Sequence, residues 1–532
     1  MNQSRPDGCI SELVIVGGGT AGWMTAAALS KILNQSITIT LVESDEIGTV
    51  GVGEATIPMI QLFNQVVGID ENEFMRETQA SFKLGIEFVN WGRLGDRYIH
   101  AFGNFGQEAW TVDFYQYWLR LWLEQKAFDL EAYSINRMAC KAGRCMRADP
   151  QRPNSPLGQI VHAFHFDAGL YAKYLRKLAE SRGVKRIEGM IDAVEQEPHQ
   201  GHIKSVKLGS GQVIAGDFFI DCTGFRSILL GGAMNEKFNS YHDILPNNSA
   251  WAAQIPYIDK KKQLVPYTDG FAIGNGWVWR IPLWHRMGMG YVYSDKYISD
   301  DDALQEFKDH LAEHNQLHED QKFHKIKFKA GIHERIWVKN VAAIGLSAGF
   351  IEPLESNGLY SVHMFLVRLL RAMDRDNEAH MVSEFDRNSY NWACRTLFDS
   401  FAQFVAMHYS MSHRDDTEYW RDVGSRNYCD VESFVNGRGK SRSEAFIFAY
   451  ESKYNHVHFS NDGLNAIATG LNYFPTDLHY IHAMNDAGVN LAEEFKEVTD
   501  NLNRKKEIWD LLASQCPTVY DFLKERIYHG EE

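Results

Sequence analysis

Cysteine is scarce in this sequence and follows no pattern. The seven cysteines of the 532 residues are scattered, odd in number and without C-x-x-C spacing. Such a distribution is typical of reduced thiols, and it argues against a disulfide framework or a zinc site. We therefore expect no bound metal.

The sequence also lacks a hydrophobic segment that would direct it into or across a membrane. Its N-terminal residues 1–10 are largely polar, and no uninterrupted apolar run approaches the length of a membrane span. We therefore expect a cytoplasmic enzyme without a membrane partner.

Basic residues are outnumbered, and they form no long stripe. The chain has 54 lysines and arginines against 69 aspartates and glutamates, which gives a formal net charge of −15. This balance argues against nucleic acid as the main partner. Aromatic residues are plentiful at 13%, which suits both a core and a pocket for a flat apolar ligand.

A glycine-rich loop near the N terminus lies within a complete β-α-β pattern. The apolar run 13–16 predicts a buried parallel strand, the loop 17–22 reads G-G-G-T-A-G, and 21–33 has helical spacing. A second β-branched run, 37–42, is followed by Glu43. A G-x-G-x-x-G loop between strand and helix, with an acid after the next strand, predicts a dinucleotide-binding site.

Each glycine of this pattern has a physical reason to be there. Gly17 permits the tight turn after the strand, Gly19 lets the backbone approach a pyrophosphate, and Gly22 lets helix and strand pack closely. The N terminus of the helix stabilises the negative charge of the phosphates. Glu43 is placed to accept hydrogen bonds from the adenosine ribose.

Later segments return to this nucleotide-binding unit and favour FAD over NAD. Asp167 is predicted to cap a helix over 168–181. The apolar strand that ends in D-C-T-G at 221–224 resembles strands that return to the cofactor in FAD-dependent folds, and 341–345 is a third return. Only one glycine loop is evident, so reduced flavin has to come from a separate protein.

The hexapeptide 277–282 narrows the chemistry further. It reads W-V-W-R-I-P, with Trp277, Trp279, Ile281 and Pro282 in a W-x-W-x-I-P pattern. Taken alone, the pattern also fits an aromatic strand that is ended by proline.

Three other segments decide between these interpretations. They are G-V-G-E-A-T-I-P at 51–58, F-K-L-G at 82–85 and P-L-E-S at 353–356. With W-x-W-x-I-P they resemble, in the right order, the flavin strap loop, the lysine segment and the glutamate segment of flavin-dependent halogenases of the tryptophan halogenase family. The resemblance spans Gly17 to about Gly358 and continues more weakly through 413–420.

The resemblance implies a mixed α/β fold. We expect a Rossmann-like, FAD-binding domain of the hydroxylase type with an inserted sheet, and a mostly helical C-terminal part. The corresponding domains are a discontinuous FAD-binding domain over 1–358, with inserted substrate-side segments, and a mostly helical substrate-side region over 359–532.

The resemblance also implies a two-component halogenation. A separate flavin reductase supplies reduced FAD, which reacts with O2 and a halide ion (chloride, bromide or iodide) to give hypohalous acid. The acid passes through an internal tunnel to Lys83, and an electron-rich aromatic substrate, indole-like or tryptophan-like, attacks the electrophilic halogen. Glu355 stabilises the cationic intermediate and removes its proton.

The predicted site residues fall into groups by function. FAD is assigned to Gly17, Gly19, Thr20, Ala21, Gly22, Glu43, Ala55, Thr56, Ile57 and Leu346. The halide is assigned to the backbone N–H groups of Ser356, Asn357 and Gly358, at the start of a helix over 359–373. His100 and Phe102, shortly after the lysine, are the candidates that flank the substrate ring.

Two departures from the family pattern leave the halide and the substrate open. Asn357 stands where the family commonly has threonine, which bears on the halide preference. In the C-terminal third, 446–451 is aromatic and acidic, yet the residues that would grip the amino and carboxylate groups of free tryptophan have no clear place. Indole or another electron-rich arene could therefore be the substrate.

Two other functions share the glycine loop. An aromatic flavin monooxygenase, which hydroxylates its substrate, would need neither Lys83 nor W-x-W-x-I-P. A flavin-binding protein without catalysis would need neither Lys83 nor Glu355. For the halogenase, the expected partners are the flavin reductase and a small aromatic substrate, and the chain could also form a homo-oligomer.

Overall fold

The architecture comes from a computed structural model, which describes residues 10–33, 37–47, 53–106, 114–151, 153, 155–373, 382–426, 450, 453–454, 462–474 and 491–529. These residues form two units, each built from three separate stretches of chain. The first unit lies within 1–80, 166–250 and 324–402, and the second within 81–165, 251–323 and 403–532.

The two units do not have the boundary that the sequence predicts at residue 358. It follows sequence order and separates a cofactor role from a substrate role, whereas the two units interleave along the chain. The assignment of 1–358 to FAD and of 359–532 to the substrate side stays a prediction.

Helices occur throughout the described residues. The α-helices are Thr20–Ile32, Met59–Val67, Glu71–Thr78, Phe114–Leu123, Ile135–Lys141, Ala168–Ser181, Lys260–Gln263, Asp300–Glu313, Gly358–Met373, Glu384–Ser410, Glu418–Ser425, Asp462–Gly470, Leu491–Gln515 and Val519–Arg526. Shorter 3-10 turns are Leu130–Tyr133, Pro156–Gln159, Gly224–Arg226 and Gly345–Ser347, and a π-helix spans Ile228–Ala233.

The strands are mostly short. They are Glu12–Val16, Thr38–Glu43, Glu54–Ala55, Ser81–Lys83, Gly85–Val89, Arg97–Ala101, Ala163–Phe166, Lys185–Glu188, Ile191–Gln196, Ile203–Leu208, Val213–Ala215, Phe218–Asp221, Phe238–Ser240, Ser249–Ile255, Thr268–Ile273, Gly276–Pro282, Met287–Tyr293, Phe323–Lys327, Gly331–His333, Trp337–Val338, Val341–Ala343 and Gly349–Phe350.

A six-stranded sheet forms the centre of the first unit. Its order is Trp337–Val338, Val341–Ala343, Phe218–Asp221, Glu12–Val16, Thr38–Glu43 and Lys185–Glu188. All neighbouring pairs are parallel except the edge pair 337–338 and 341–343, which is antiparallel. Buried parallel strands read as continuous apolar runs, which is why 13–16 and 341–343 were recognisable in the sequence.

The predicted β-α-β unit is confirmed to within one residue at each boundary. The first strand is Glu12–Val16, the helix is Thr20–Ile32 and the second strand is Thr38–Glu43. The two strands pair in parallel, with Leu13 opposite Ile39. The mixed α/β fold with a Rossmann-like unit is thereby confirmed.

The helix predicted after Asp167 spans Ala168–Ser181. The Asp167 carboxylate accepts a hydrogen bond from the Leu170 backbone N–H at 3.0 Å, which satisfies one of the free donors at the start of the helix. The helix buries Tyr171 and Leu175. This spacing of four residues places both side chains on the face that contacts the rest of the unit.

A mixed sheet dominates the second unit. Six of its strands lie in the order Ser249–Ile255, Met287–Tyr293, Gly276–Pro282, Thr268–Ile273, Gly85–Val89 and Arg97–Ala101. The strand that carries W-x-W-x-I-P therefore lies inside the sheet, antiparallel to both neighbours. Helix Asp300–Glu313 packs on one face through Ala303, Phe307 and Leu311.

The side chains of the W-x-W-x-I-P strand alternate between the two faces of the sheet. Val278 joins the apolar core that covers the helix 300–313. Because successive side chains of a strand point to opposite faces, Trp277, Trp279 and Ile281 lie on the other face. Trp277 packs against Trp91 there, with ring centroids 6.4 Å apart.

From Gly358 onward the described residues are mainly helical, as predicted. Helix Gly358–Met373 extends the predicted helix over 359–373 by one residue at its start. Within the described ranges, none of the helices is both long and apolar enough to cross a membrane.

Candidate active site

The glycine loop of the first unit has the geometry that its sequence predicts. Gly17 has a φ of 110°, in the region that favours glycine, and a Cβ there would lie 2.3 Å from the Cys222 carbonyl oxygen. A Cβ on Gly22 would lie 1.9 Å from the Gly17 carbonyl oxygen. Both glycines are therefore required by close backbone packing.

Gly19 differs from the other two glycines. It is exposed, and among the described residues no atom lies within 4 Å of the position that its Cβ would take. It also immediately precedes helix Thr20–Ile32, where no side chain caps the free N–H groups. An open cradle in front of uncapped N–H donors fits the pyrophosphate of a dinucleotide such as FAD.

Glu43, the acid at the end of the second strand, is held by two donors. Its carboxylate accepts from Arg186 Nε at 2.6 Å and from the Trp23 indole N–H at 3.3 Å. A Cβ on Gly18 would lie 1.5 Å from Glu43 Oε2. The G-x-G-x-x-G pattern allows any residue at the position of Gly18. The structure nevertheless requires glycine there, because Glu43 lies against the loop.

The D-C-T-G return ends in a fully buried carboxylate that organises the following loop. Asp221 accepts from the backbone N–H groups of Thr223, Leu229 and Leu230 at 2.8–3.0 Å and from the Thr223 hydroxyl at 2.6 Å. Four donors satisfy this carboxylate. Its role in the structure is to fold residues 223–230 next to the glycine loop.

The third segment that returns to the nucleotide-binding unit, residues 341–345, also lies against the glycine loop. Gly345, with a φ of 78°, would place a Cβ 2.6 Å from Ala21 Cβ. Leu346, one of the predicted FAD residues, is 44% exposed. Its contact with FAD stays a prediction.

The predicted strap and halide residues lie in the same unit. Thr56 is buried in the segment before helix Met59–Val67, and Ala55 ends the strand Glu54–Ala55. Ile57 is half-buried and its carbonyl accepts from Ile60 N. Gly51 and Val52 of the strap pattern lie outside the described residues.

Glu355 and the halide residues form one short segment before a long helix. Glu355, Ser356 and Asn357 are 5%, 3% and 7% exposed, and Ser356 has a φ of 57°. Helix Gly358–Met373 follows at once. The Ser356 N–H donates to the Pro353 carbonyl at 3.1 Å, and Asn357 and Gly358 lie at the positive end of this 16-residue helix. The halide assignment stays a prediction.

Lys83 lies in the second unit and is completely buried. It ends strand Ser81–Lys83, which runs antiparallel to Ala163–Phe166. Its Nζ lies 5.2 Å from the ring centroid of Phe102, within the range of a cation–π contact. A lysine that is removed from water in this way is rare outside functional sites.

The structure brings Phe102 close to Lys83 in this unit, and His100 lies opposite Ile86 on the neighbouring strand. Phe102 N donates to the Leu84 carbonyl at 2.8 Å, next to the lysine. The His100 ring lies 6.2 Å from that of Phe404, and a Cβ on Gly463 would lie 2.9 Å from His100 Nε2. Both predicted substrate residues are half-buried.

Phe404 was missed by the sequence reasoning, because the helix pattern over 384–410 does not show which face meets His100. Tyr450, whose ring lies 6.1 Å from that of Phe404, extends this group of aromatic side chains. It belongs to the aromatic and acidic segment 446–451, of which the other residues lie outside the described part of the chain.

Trp277 and Trp279 are buried against protein. Their rings meet edge to face with centroids 6.3 Å apart, and the indole of Trp279 covers Gly290 on the neighbouring strand, where a Cβ would lie 2.2 Å from it. Arg280, between them and Pro282, binds the buried carboxylate of Asp269 at 2.7 Å. Burial raises the Asp269 pKa to about 7, against the lowering effect of Arg280.

Comparison with known proteins decides the family. The model of the tryptophan halogenase family matches residues 12–486. The chain belongs to the tryptophan halogenase family. Tryptophan 7-halogenase RebH from Lentzea aerocolonigenes is 32% identical to it, over 98% of this chain and 99% of its own length.

Solved structures of flavin-dependent halogenases agree with this halogenase in fold. Xcc4156 from Xanthomonas campestris superposes with a TM-score of 0.83 at 35% identity and covers 97% of this chain and 98% of its own. BrvH from Brevundimonas sp. BAL3 superposes with a TM-score of 0.81 at 33% identity, over 97% and 99%. The predicted class, a flavin-dependent halogenase and hence an enzyme, is confirmed.

The halogenase contains one more polar group on the Lys83 strand pair that sequence reasoning missed. His165 is completely buried, and its Nε2 lies 2.8 Å from the Thr268 hydroxyl. Its position, three residues before helix Ala168–Ser181, gave no signal, because a histidine in an apolar strand is ordinarily a core residue.

Proposed function

We propose that this halogenase uses reduced FAD from a separate flavin reductase, O2 and a halide ion to halogenate an indole-like or tryptophan-like arene through Lys83. The observation that carries the proposal is the complete burial of Lys83 beside Phe102. When bound, reduced FAD supplies the chemistry that activates O2 and oxidises halide to hypohalous acid.

FAD is assigned to the loop of the first unit. Gly19 and the N–H groups of Thr20 and Ala21 hold the pyrophosphate, and Glu43 accepts from the ribose. Gly17 and Gly22 act by keeping strand and helix close enough for the loop to form. Ala55, Thr56, Ile57 and Leu346 complete the cofactor contacts.

The halide is assigned to the backbone of 356–358. The N–H groups of Asn357 and Gly358 lie at the start of a 16-residue helix, whose dipole favours an anion without a formal cation. The Ser356 N–H donates to the Pro353 carbonyl. Asn357, in place of the threonine common in the family, changes the size and polarity of the site. Competition of bromide with chloride during turnover measures the resulting preference.

Lys83 is assigned to hold the hypohalous acid, by a hydrogen bond or as a haloamine. Phe102 and His100 hold the substrate ring so that its attacked carbon faces the halogen. Glu355, 5% exposed, stabilises the cationic intermediate and accepts the proton that the ring loses. The names of the curated relatives, which include tryptophan 6- and 7-halogenases, support an indole ring as the substrate.

The test is turnover with bromide, a flavin reductase and a panel that includes tryptophan and indole, read by mass spectrometry. A bromine isotope pair in the product is expected, and a product that gains one oxygen atom would assign a hydroxylase. Lys83→Met should abolish bromination while FAD binding is retained. Lys126→Met, at an exposed lysine of the same unit (61% exposed), is the control and should brominate normally.

A further inference from the structure

His165 faces the same side of its strand pair as Lys83. In the antiparallel register Ser81 lies opposite His165, and Lys83 lies opposite Ala163. Side chains two residues apart on a strand share a face, as do directly opposite residues. Lys83 and His165 are therefore diagonal neighbours on one face, at a separation that long side chains can bridge.

The hydrogen bonds around His165 determine which nitrogen carries its proton. The Ser81 hydroxyl donates its single proton to the carbonyl oxygen of Pro282. Toward His165 Nδ1, 3.3 Å away, Ser81 Oγ must then accept, so Nδ1 carries the hydrogen. Nε2 is left as the acceptor and receives the Thr268 hydroxyl proton at 2.8 Å.

These bonds form one directed chain. It runs from Thr268 through His165 and Ser81 to Pro282, the last residue of the W-x-W-x-I-P strand. The strand that ends in Lys83 is thus tied through two side chains to the sheet that carries the signature. Both ring nitrogens are used, so a rotation of the imidazole would break two buried hydrogen bonds.

The surroundings also keep the imidazole neutral. Complete burial, and then the nearby Lys83 charge, lower the His165 pKa well below its ordinary 6.5. A charged imidazole at this position would repel a cation on Lys83. The face therefore carries one ionisable amine beside a neutral ring.

We propose that His165 is a positioning residue for Lys83, fixed as the Nδ1–H tautomer between Ser81 and Thr268. Its Nδ1–H fixes the Ser81 hydroxyl that binds the Pro282 carbonyl, and in this way it keeps strand Ser81–Lys83, and the amine, at the place where the halogen arrives. The Ile-Pro end of the W-x-W-x-I-P strand gains a physical role, because the Pro282 carbonyl is the final acceptor in this row of hydrogen bonds. This proposal rests on the proposed function of Lys83.

The experiment compares His165→Phe, which removes both hydrogen bonds, with His165→Asn, which retains a donor toward Ser81. Full-length proteins are assayed with bromide, FAD and a flavin reductase for brominated product formed per O2 consumed. For H165F we expect at least a tenfold lower product yield with unchanged O2 consumption, FAD affinity and KM for the arene. H165N should recover the yield to within about threefold of the wild type.

The matched control is His310→Phe, at a second buried imidazole of the same unit. Wild-type yield from H165F, or equal losses in H165F and H310F, would overturn the positioning role. Should H165F fail to fold, Thr268→Val and Ser81→Ala break the chain at either side of the ring, and unchanged yields in both would refute the proposal. If wild type brominates and K83M does not, the proposed function holds whatever H165F shows.

Discussion

Alanine at Gly19 and alanine at Gly22 should separate cofactor affinity from stability. The two glycines belong to one loop, yet an added Cβ meets different surroundings. At Gly19 no atom of the part of the chain that the structure describes lies within 4 Å, and at Gly22 the Gly17 carbonyl oxygen lies at 1.9 Å. We predict that Gly19→Ala weakens FAD binding in a stable protein and that Gly22→Ala destabilises the protein itself.

The cost of Gly22→Ala follows from that close approach. Ordinary van der Waals contact begins at 3.4 Å, so helix Thr20–Ile32 would have to move away from Gly17 by more than an ångström. Overpacking of this kind costs about 1–3 kcal/mol. For a unit of this size, the melting temperature should fall by about 2–4 °C for each kcal/mol.

Gly19→Ala should change the stability of the protein little, because two opposing effects nearly cancel. Its φ of −71° suits any residue. Alanine is a poorer helix cap by about 0.5–1 kcal/mol, whereas the lost freedom of the unfolded chain offsets about 0.4–1 kcal/mol. The Cβ would, however, enter the cradle assigned to the pyrophosphate, and a weakening of FAD binding by about 10- to 100-fold corresponds to about 1.4–2.7 kcal/mol.

Thermal unfolding of the apoproteins and FAD titration by fluorescence quenching measure both quantities. Wild-type FAD affinity in G19A would refute the assignment of this glycine to the pyrophosphate. A wild-type melting temperature in G22A would refute the packing argument, and a loss of stability equal in both variants would refute the distinction between them.

Three further predictions follow from buried groups. Burial lowers the pKa of His310 to about 3 and that of His363 to about 4, so the unfolded state takes up more protons below pH 6.5 and the free energy of unfolding should fall there by about 1.4 kcal/mol per pH unit for each histidine. In H310F the contribution of His310 to this pH dependence should be absent between pH 6 and pH 4. A difference in the free energy of unfolding between H310F and wild type that does not change with pH, measured by urea titration, would contradict this. Gly290→Ala would push its Cβ into the indole of Trp279, and we expect a loss of about 1–3 kcal/mol with a changed tryptophan emission; unaltered emission and stability would count against the contact. Asp221→Ala would leave two buried backbone N–H groups, those of Leu229 and Leu230, without this acceptor, at about 1–3 kcal/mol each. It should therefore lower the unfolding midpoint in urea far more than Asp221→Asn does, and equal midpoints would be inconsistent with this role.

Much of the first unit could be predicted because its signals are local. The run 13–16, the glycines of 17–22 and the cap at Asp167 act within a few residues of chain, and the structure has each element at its predicted place. Gly18 escaped prediction for the opposite reason. Its lack of a side chain is required by the carboxylate of Glu43, which reaches it only when two strands pair.

The residues of the candidate site could be predicted from the sequence, but the residues that pack against them could not. Lys83 and Phe102 carry motif signals, and the structure brings them within 5.2 Å, Nζ to ring centroid. Phe404 carries none, because its ring meets His100 only through the packing of a helix far along the chain. The placements of the cofactor, halide and substrate residues stay predictions for the experiments above.

The sequence by itself determined the family, the nucleotide-binding β-α-β unit and the identity of the candidate chemical groups, since each depends on residue type and short spacing. Only the tertiary structure decided which face Trp277 and Trp279 occupy and which charge state His165 holds. Those properties depend on strand register and on burial among residues distant in the chain. Register and desolvation are set by packing, which no short segment specifies alone.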